Sequence, residues 1–435
     1  MIRAPTAAGL EHGRKRLLGA IGPGIVFALA TVGPGSFVAN SAAGATYEYS
    51  LIWGLAVTLF FRYMWLEASA RYVMATGETL LDGYRRVSRW LVWAILAAVV
   101  LVRHFANLYK VVLFGSCLDL LAPLPVQWSQ TAWSLVTVGL AFGLMFWGGY
   151  PAVERICKAL VALLGAGLAI AALLARPRLG GILRGALVPT LPEQAGLYSA
   201  FLLLTALIGT EAGSLTNLSY SYFMYEKGWR DLSYQRRQRL DLLASVGCLF
   251  LMGALLQIAA AATVHPLGIR LESVDDLVRI FTRTEGLVGR LIFTLGLLGA
   301  VFSAFVGTTT GNALLVTDAV RKLLRTPPKP EQAGDTRRDP IYRWSILFWC
   351  FSPLYVLATN AEPVLLVLLY SSVVVLAIPV LGLALLKITN DRRRMGAHGN
   401  GWFANTMIGL LILVSIVFTA QNGAEWWGRL WGGAP

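Results

Sequence analysis

The sequence predicts an all-α polytopic membrane protein: about eleven transmembrane helices, arranged as two inverted repeats of five plus one extra helix, with the first helix of each repeat broken. Three observations predict this. Of the 435 residues, 56% are hydrophobic and only 14% charged, with a mean hydropathy of +0.63. Apolar stretches of the length a bilayer of roughly 30 Å requires recur along the whole chain. Two of them, the first and the sixth, are interrupted near mid-depth by runs that a helix tolerates poorly.

The stretches lie at about 18–45, 51–75, 90–121, 130–148, 150–175, 196–226, 240–264, 287–318, 343–359, 363–387 and 402–420. The first follows Arg14, Lys15 and Arg16 but outruns the apolar core of a signal peptide and shows no clear cleavage site. No segment is long enough for a soluble domain, so residues 1–435 read as one transmembrane domain. Repeat one would span about 18–175 and repeat two about 196–387, with 402–420 as an appended helix. Five helices per repeat is an odd number, so the repeats enter the membrane from opposite sides.

Charge gives the orientation. Most of the 37 lysines and arginines fall in the N-terminus and in the loops after even-numbered stretches, as in Arg85, Arg86 and Arg89, and Arg392 to Arg394. The positive-inside rule then puts the N-terminus in the cytoplasm and the C-terminus outside. A bacterial inner membrane is the expected location. The same asymmetry accounts for the formal +14, with no need for a nucleic-acid partner. Cys117, Cys157, Cys248 and Cys350 show no Cys-x-x-Cys spacing and read as small packing residues. Among the connections, Ser273-x-x-Asp276 ahead of Leu277, Ile280 and Phe281 predicts a capped amphipathic helix on the membrane surface.

The two breaks carry the functional reading. In the first stretch Gly33-Pro34-Gly35 combines a missing N–H with unwound-tolerant glycines, flanked by Ser36 and, a turn later, Asn40. In the sixth, Gly209-Thr210-Glu211-Ala212-Gly213 leads into Ser214, Thr216 and Asn217. Backbone freed at mid-membrane survives only where it lines a cavity or is buried in protein, and paired breaks mark a transporter's substrate site. Glu211 is the sharpest candidate, since an ionisable group at mid-membrane is costly. It serves as a ligand, as a structural carboxylate paired with Arg62 or Lys110, or as a cap on the free N–H groups of the second half-helix. The third stretch places Arg103, Asn107 and Lys110 on one helical face, next to His104. That face is either a charge-balanced network or a coupling route. Thr308, Thr309 and Thr310 form a possible second ion site or a packing seam. No nucleophile–base pair or phosphate loop points to an enzyme.

The opening resembles the Nramp family of divalent-metal transporters. Gly22-Pro23-Gly24, Gly33-Pro34-Gly35-Ser36 and Tyr47-x-Tyr49-Ser50-Leu51-Ile52-Trp53 follow that family's first helix and its exit. Ser69-Ala70-Arg71 and Thr76-Gly77-Glu78-Thr79-Leu80 look like the close of its second helix. The resemblance implies the leucine-transporter fold, alternating access and a metal cargo with no resident cofactor. The functional motifs depart from it. The family's helix-1 Asp-Pro-Gly-Asn has its Asp and Asn positions at Gly33 and Ser36, and its helix-6 Met-Pro-His falls in the region of Thr210 to Gly213. The helix-3 acids align with Asn107 and Lys110. Helix 6 resembles divergent Nramp-related proteins, one branch of which is described as magnesium transporters.

Without the thioether, softer transition metals lose their preferred ligand, and a carboxylate with hydroxyls, amides and carbonyls suits a hard cation such as Mg²⁺ or Mn²⁺. The expected site is Glu211, Ser36, Gly33, Thr210, Ser214, Asn40 and Asn217. The alternative is a small organic solute, an amino or carboxylic acid, held by the broken helices.

Overall fold

The structure, a computed structural model, describes residues 34–147, 150–192, 199–212, 214–269, 271, 273–325, 336–359 and 363–431. Among these residues the regular structure is helical throughout. The chain opens with α1 (Pro34–Tyr47), α2 (Ile52–Thr76), α3 (Leu80–Val87), α4 (Arg89–Leu121), α5 (Ser129–Trp147), α6 (Tyr150–Leu174) and α7 (Leu179–Leu187). Next come α8 (Ala200–Leu207), a π-helical turn (Ile208–Ala212) and α9 (Ser214–Glu226). These are followed by α10 (Gln235–Thr263), α11 (Val274–Leu324), α12 (Pro340–Phe351), α13 (Pro363–Val375) and α14 (Ile378–Thr389). The chain closes with α15 (Arg392–Met395) and α16 (Trp402–Trp431).

Eight helices among the described residues are long and apolar enough to cross a membrane, or nine if the bent pair 162–174 and 179–187 is one span. The expected eleven include the stretch 18–45, most of which lies outside the described residues. They also include α2, whose 25 residues are long enough to cross but carry Arg62, Glu67 and Arg71. Outward-facing Leu140, Leu173, Leu251 and Leu383 are more than half exposed, the face lipid tails require.

Local signals explain the boundaries. Ser273 and Asp276 form the expected capping box at the start of α11. At Gly286 the backbone turns to φ 62°, ψ −141°, which separates this surface segment from the long span behind it. Two amphipathic segments escape the apolar-run reading: α3, opened by a Thr79–Asp82 capping box, and α7. Both are too short and too polar or Gly-rich to register as spans.

Packing then divides the molecule. On one side α1 and α2 lie against α10; on the other α11 lies against α4 and α6. Between them α13 touches α4, α8, α1 and the π turn, while α2 touches the π turn from the opposite side. The broken sixth helix thus sits between two groups of helices.

At the end that the charge bias assigns to the cytoplasm, a polar cluster ties α3, α9 and α11 together. Lys322 Nζ lies 2.7 Å from Asp82 Oδ2 and 2.9 Å from Asp318 Oδ2, and the Tyr222 hydroxyl donates to Asp318 at 2.6 Å. Burial pushes the Asp82 carboxyl up, but hydrogen bonds from Lys322 and Thr79 and the Lys322 charge outweigh it and hold it below the usual carboxylate range. A depressed carboxylate adds stability that is present above its unfolded pKa, about 4, and is lost as pH falls through the folded value. The unfolding temperature should therefore owe no pH dependence to Asp82 between pH 7 and about 5, then fall in stronger acid. Asp82→Asn should blunt that acid-side fall, which a pH series of thermal unfolding measures.

Candidate functional site

The π turn exists because Gly209 lets the chain come very close to α13. A Cβ built on Gly209 would sit 2.1 Å from the carbonyl oxygen of Ser371. With one residue more per turn than an α-helix, the turn carries Glu211 to the inside of the bundle, fully buried. The Ser36 hydroxyl on α1 donates to Glu211 Oε1. Asn40, one turn on, donates to the same oxygen at 3.2 Å and to the Ser36 carbonyl at 2.8 Å. Gln257 on α10 donates to Asn40 Oδ1 at 2.8 Å and fixes the direction of its amide. The two halves of the predicted site, five helices apart in sequence, therefore meet side chain to side chain.

The electrostatics of this meeting are acceptor-rich. Glu211 Oε2, Asn217 Oδ1 and Gln257 Oε1 are all buried with no hydrogen-bond partner among the described residues. Asn217 Nδ2 donates to the Ala212 carbonyl at 2.6 Å, which fixes its amide and leaves Oδ1 as the oxygen without a donor. An unpaired buried acceptor costs on the order of 1–3 kcal/mol, so the two on either side of the break, Glu211 Oε2 and Asn217 Oδ1, need a compensating positive ligand or water. Arg62 on α2 gives its Nη1 to the backbone carbonyl of Glu211 at 2.7 Å. It thus braces main chain that the π turn exposes.

The other expected ligands are placed differently. The Thr210 hydroxyl bonds back to the Ala206 carbonyl at 2.8 Å, and its methyl carbon faces Gly35. Gly33 and the Ser214 side chain lie outside the described residues. Gln257 was not among the expected residues. Its signal was present: one amide in the otherwise apolar run Leu255 to Ala262.

The polar face of α4 forms a second cluster, and it is not charge-balanced. Arg103 Nη1 donates to Thr308 Oγ1 at 2.9 Å, and Lys110 Nζ approaches the same oxygen at 3.1 Å. Lys110 also reaches the Ala304 carbonyl and Asn107 Oδ1, each at 3.5 Å. Asn107 donates to the Trp349 carbonyl at 3.0 Å and to Thr309 at 3.4 Å. Arg103 and Lys110 are each 2% exposed, and neither forms an ion pair among the described residues. Their nitrogens are no more than about 6 Å apart, where two positive charges repel by roughly 3 kcal/mol at an effective dielectric of 20. Lys110 therefore does not pair with Glu211. Thr310 is partly exposed. His104 lies beside this face rather than in it, with Nδ1 2.8 Å from Ser352 Oγ and its ring stacked on Tyr355.

Comparison with known proteins agrees with this architecture. The Nramp family model, described as natural resistance-associated macrophage protein-like, matches residues 24–424. The chain belongs to the Nramp family. Among curated relatives, the divalent metal cation transporter MntH of Deinococcus radiodurans is 28% identical over 70% of this chain and 70% of its own length. That of Pectobacterium carotovorum is 23% identical over 93% of each. Among solved structures, the Eremococcus coleocola manganese transporter aligns with a TM-score of 0.74 at 14% identity, over all of this chain and 91% of that one. Mhp1, a nucleobase-cation-symport-1 transporter, aligns at 0.55 and 12% identity, over 94% and 93%. The fold is that of the leucine-transporter class, and this family member is a transporter rather than an enzyme.

Proposed function

We propose that this Nramp protein is a secondary transporter that moves a divalent, hard cation, Mg²⁺ or Mn²⁺, by alternating access. The observation that carries the reading is that Glu211 Oε2 and Asn217 Oδ1, buried at the helix-6 break, have no donor among the described residues. A dication satisfies such oxygens directly. The relatives' names, all divalent metal cation transporters, support the cargo class.

In this reading Glu211 is the main ligand and Asn217 Oδ1 a second, while Ser36 turns its hydroxyl so that a lone pair faces the ion. Asn40 and Gln257 position the others, because Asn40 Oδ1 is already engaged. All are oxygen donors, and among the described residues no group of three or more His, Cys, Asp or Glu offers a metal site. A partly hydrated hard ion fits that chemistry, and a soft one gains nothing from it. Rocking of α1, α2 and α8 to α10 against α4, α6 and α11 would open the site to each side in turn. Arg62 holds the break carbonyl meanwhile. The proton route tied to helix-3 acids has no counterpart at Asn107 and Lys110, so strong proton coupling is not expected.

The test is competition in proteoliposomes. Mg²⁺ should displace Mn²⁺ within about tenfold of the Mn²⁺ concentration, with no advantage for Cd²⁺. A strong Cd²⁺ preference would overturn the hard-cation assignment. Displacement by amino or carboxylic acids, with dications inert, would transfer the site to an organic solute.

A further inference from the structure

The acceptor-rich site at Glu211 has an opposite elsewhere in the bundle. Between α4 and α11 the chain collects donors: Arg103 with five N–H groups and Lys110 with three, neither able to accept. Their protein partners among the described residues are few. As hydrogen-bond acceptors Arg103 has only Thr308 Oγ1, and Lys110 has that same oxygen with the Ala304 carbonyl and Asn107 Oδ1 at the long end of hydrogen bonding. The Lys110 ammonium also lies 5.9 Å from the Tyr109 ring centre. Arg103 Nε is buried and has no acceptor among the described residues. Thr308 cannot do more, since its oxygen already serves both cations and its proton goes to the Ala304 carbonyl. Two buried cations that converge on one neutral hydroxyl, with no carboxylate paired to either among the described residues, form a centre whose missing component is negative. A buried charge persists only when it is paired.

We propose that α4 and α11 build a binding site for a small inorganic anion of the chloride class, held between Arg103 and Lys110 beside Thr308. An anion there accepts the free guanidinium N–H, including Nε, and separates two like charges that otherwise repel. The site lies on a different pair of helices from the Glu211 site and has the opposite charge. It therefore does not depend on the metal-transport reading. It gives the helix-3 position of Lys110 a role that is neither proton relay nor metal ligand.

The test is halide binding to the purified full-length protein in detergent, with gluconate as the inert counter-ion. Chloride and bromide should raise the unfolding temperature saturably, and gluconate at equal ionic strength should not. Lys110→Met, which replaces the ammonium by an apolar group of similar length, should raise the halide concentration needed at least tenfold. Lys322→Met, in the cluster near the helix ends, should leave the halide response intact. An equal response to gluconate, or an unchanged response in Lys110→Met, overturns the proposal. If Lys110→Met does not fold, chloride-35 line broadening decides on the unmodified protein. Broadening reversed by excess bromide supports the site, and its absence refutes it. A carboxylate such as acetate acting at lower concentration than halide also refutes it, by assigning the cations to an organic anion.

Discussion

Glu211→Gln is expected to abolish metal movement while leaving the fold intact. The side-chain amide keeps an oxygen where Oε1 now accepts from Ser36 and Asn40, so the link between α1 and the π turn survives. What changes is the second position: an NH₂ replaces Oε2, the buried oxygen with no partner. A donor then points where a cation has to sit, and the one side-chain negative charge among the described residues at this meeting is gone. The loss in metal affinity should be at least about 100-fold, equivalent to ~2.7 kcal/mol. Thermal unfolding of the metal-free protein should hardly move, because a neutral amide is cheaper to bury than a carboxylate. Metal binding by calorimetry alongside an unfolding curve separates the two effects. Near-normal binding in the folded variant would remove Glu211 from the site.

The second large effect is structural. Gly209→Ala places a methyl group 2.1 Å from the Ser371 carbonyl, closer than any real contact allows. The obstacle is main chain of α13, not a side chain that swings away. Either α13 shifts, or the π turn retreats and takes Glu211 with it. Overpacking of this kind costs about 1–3 kcal/mol even in forgiving cores, and here the backbone on both sides is fixed by the bundle. The expected outcome is a protein that unfolds at markedly lower temperature and binds no metal even where it remains folded. A variant with wild-type stability and binding would show that the close approach is not required. Gly35→Ala is the milder companion, since its Cβ would meet the Thr210 methyl carbon at 2.9 Å and a side chain can adjust.

Much of this was legible in the sequence, and the limits have physical causes. The helix-6 break could be read from Gly209, Glu211 and Gly213, because glycine and a charge are both costly in an apolar span. That it takes the form of a π turn could not, since the turn depends on α13 lying against Gly209. The Ser273–Asp276 cap was legible because a capping box is local in sequence. Segments α3 and α7 were not, because eight or nine amphipathic residues leave no membrane-length signal. Ser36, Asn40 and Glu211 were grouped from the paired breaks, and the structure joins their side chains by hydrogen bonds. Gln257 was missed as a lone amide. For Arg62 the sequence offered a carboxylate partner; the structure gives it a bond to Glu211's main-chain carbonyl, a group that composition does not display. The α4 face was legible as polar. Its lack of a balancing acid among the described residues emerges only when partners are counted in three dimensions.

The proposed cargo of the π-turn break between α8 and α9, faced by Ser36 and Asn40 of α1, is a hard divalent cation. The most direct test is uptake of Mg²⁺ and Mn²⁺ into liposomes containing the purified protein, with and without an imposed pH gradient. Saturable uptake of both ions is expected, with mutual competition, indifference to added amino acids, and little acceleration by the gradient. Folded protein that takes up neither ion, yet responds to an amino or carboxylic acid, would contradict the proposed cargo.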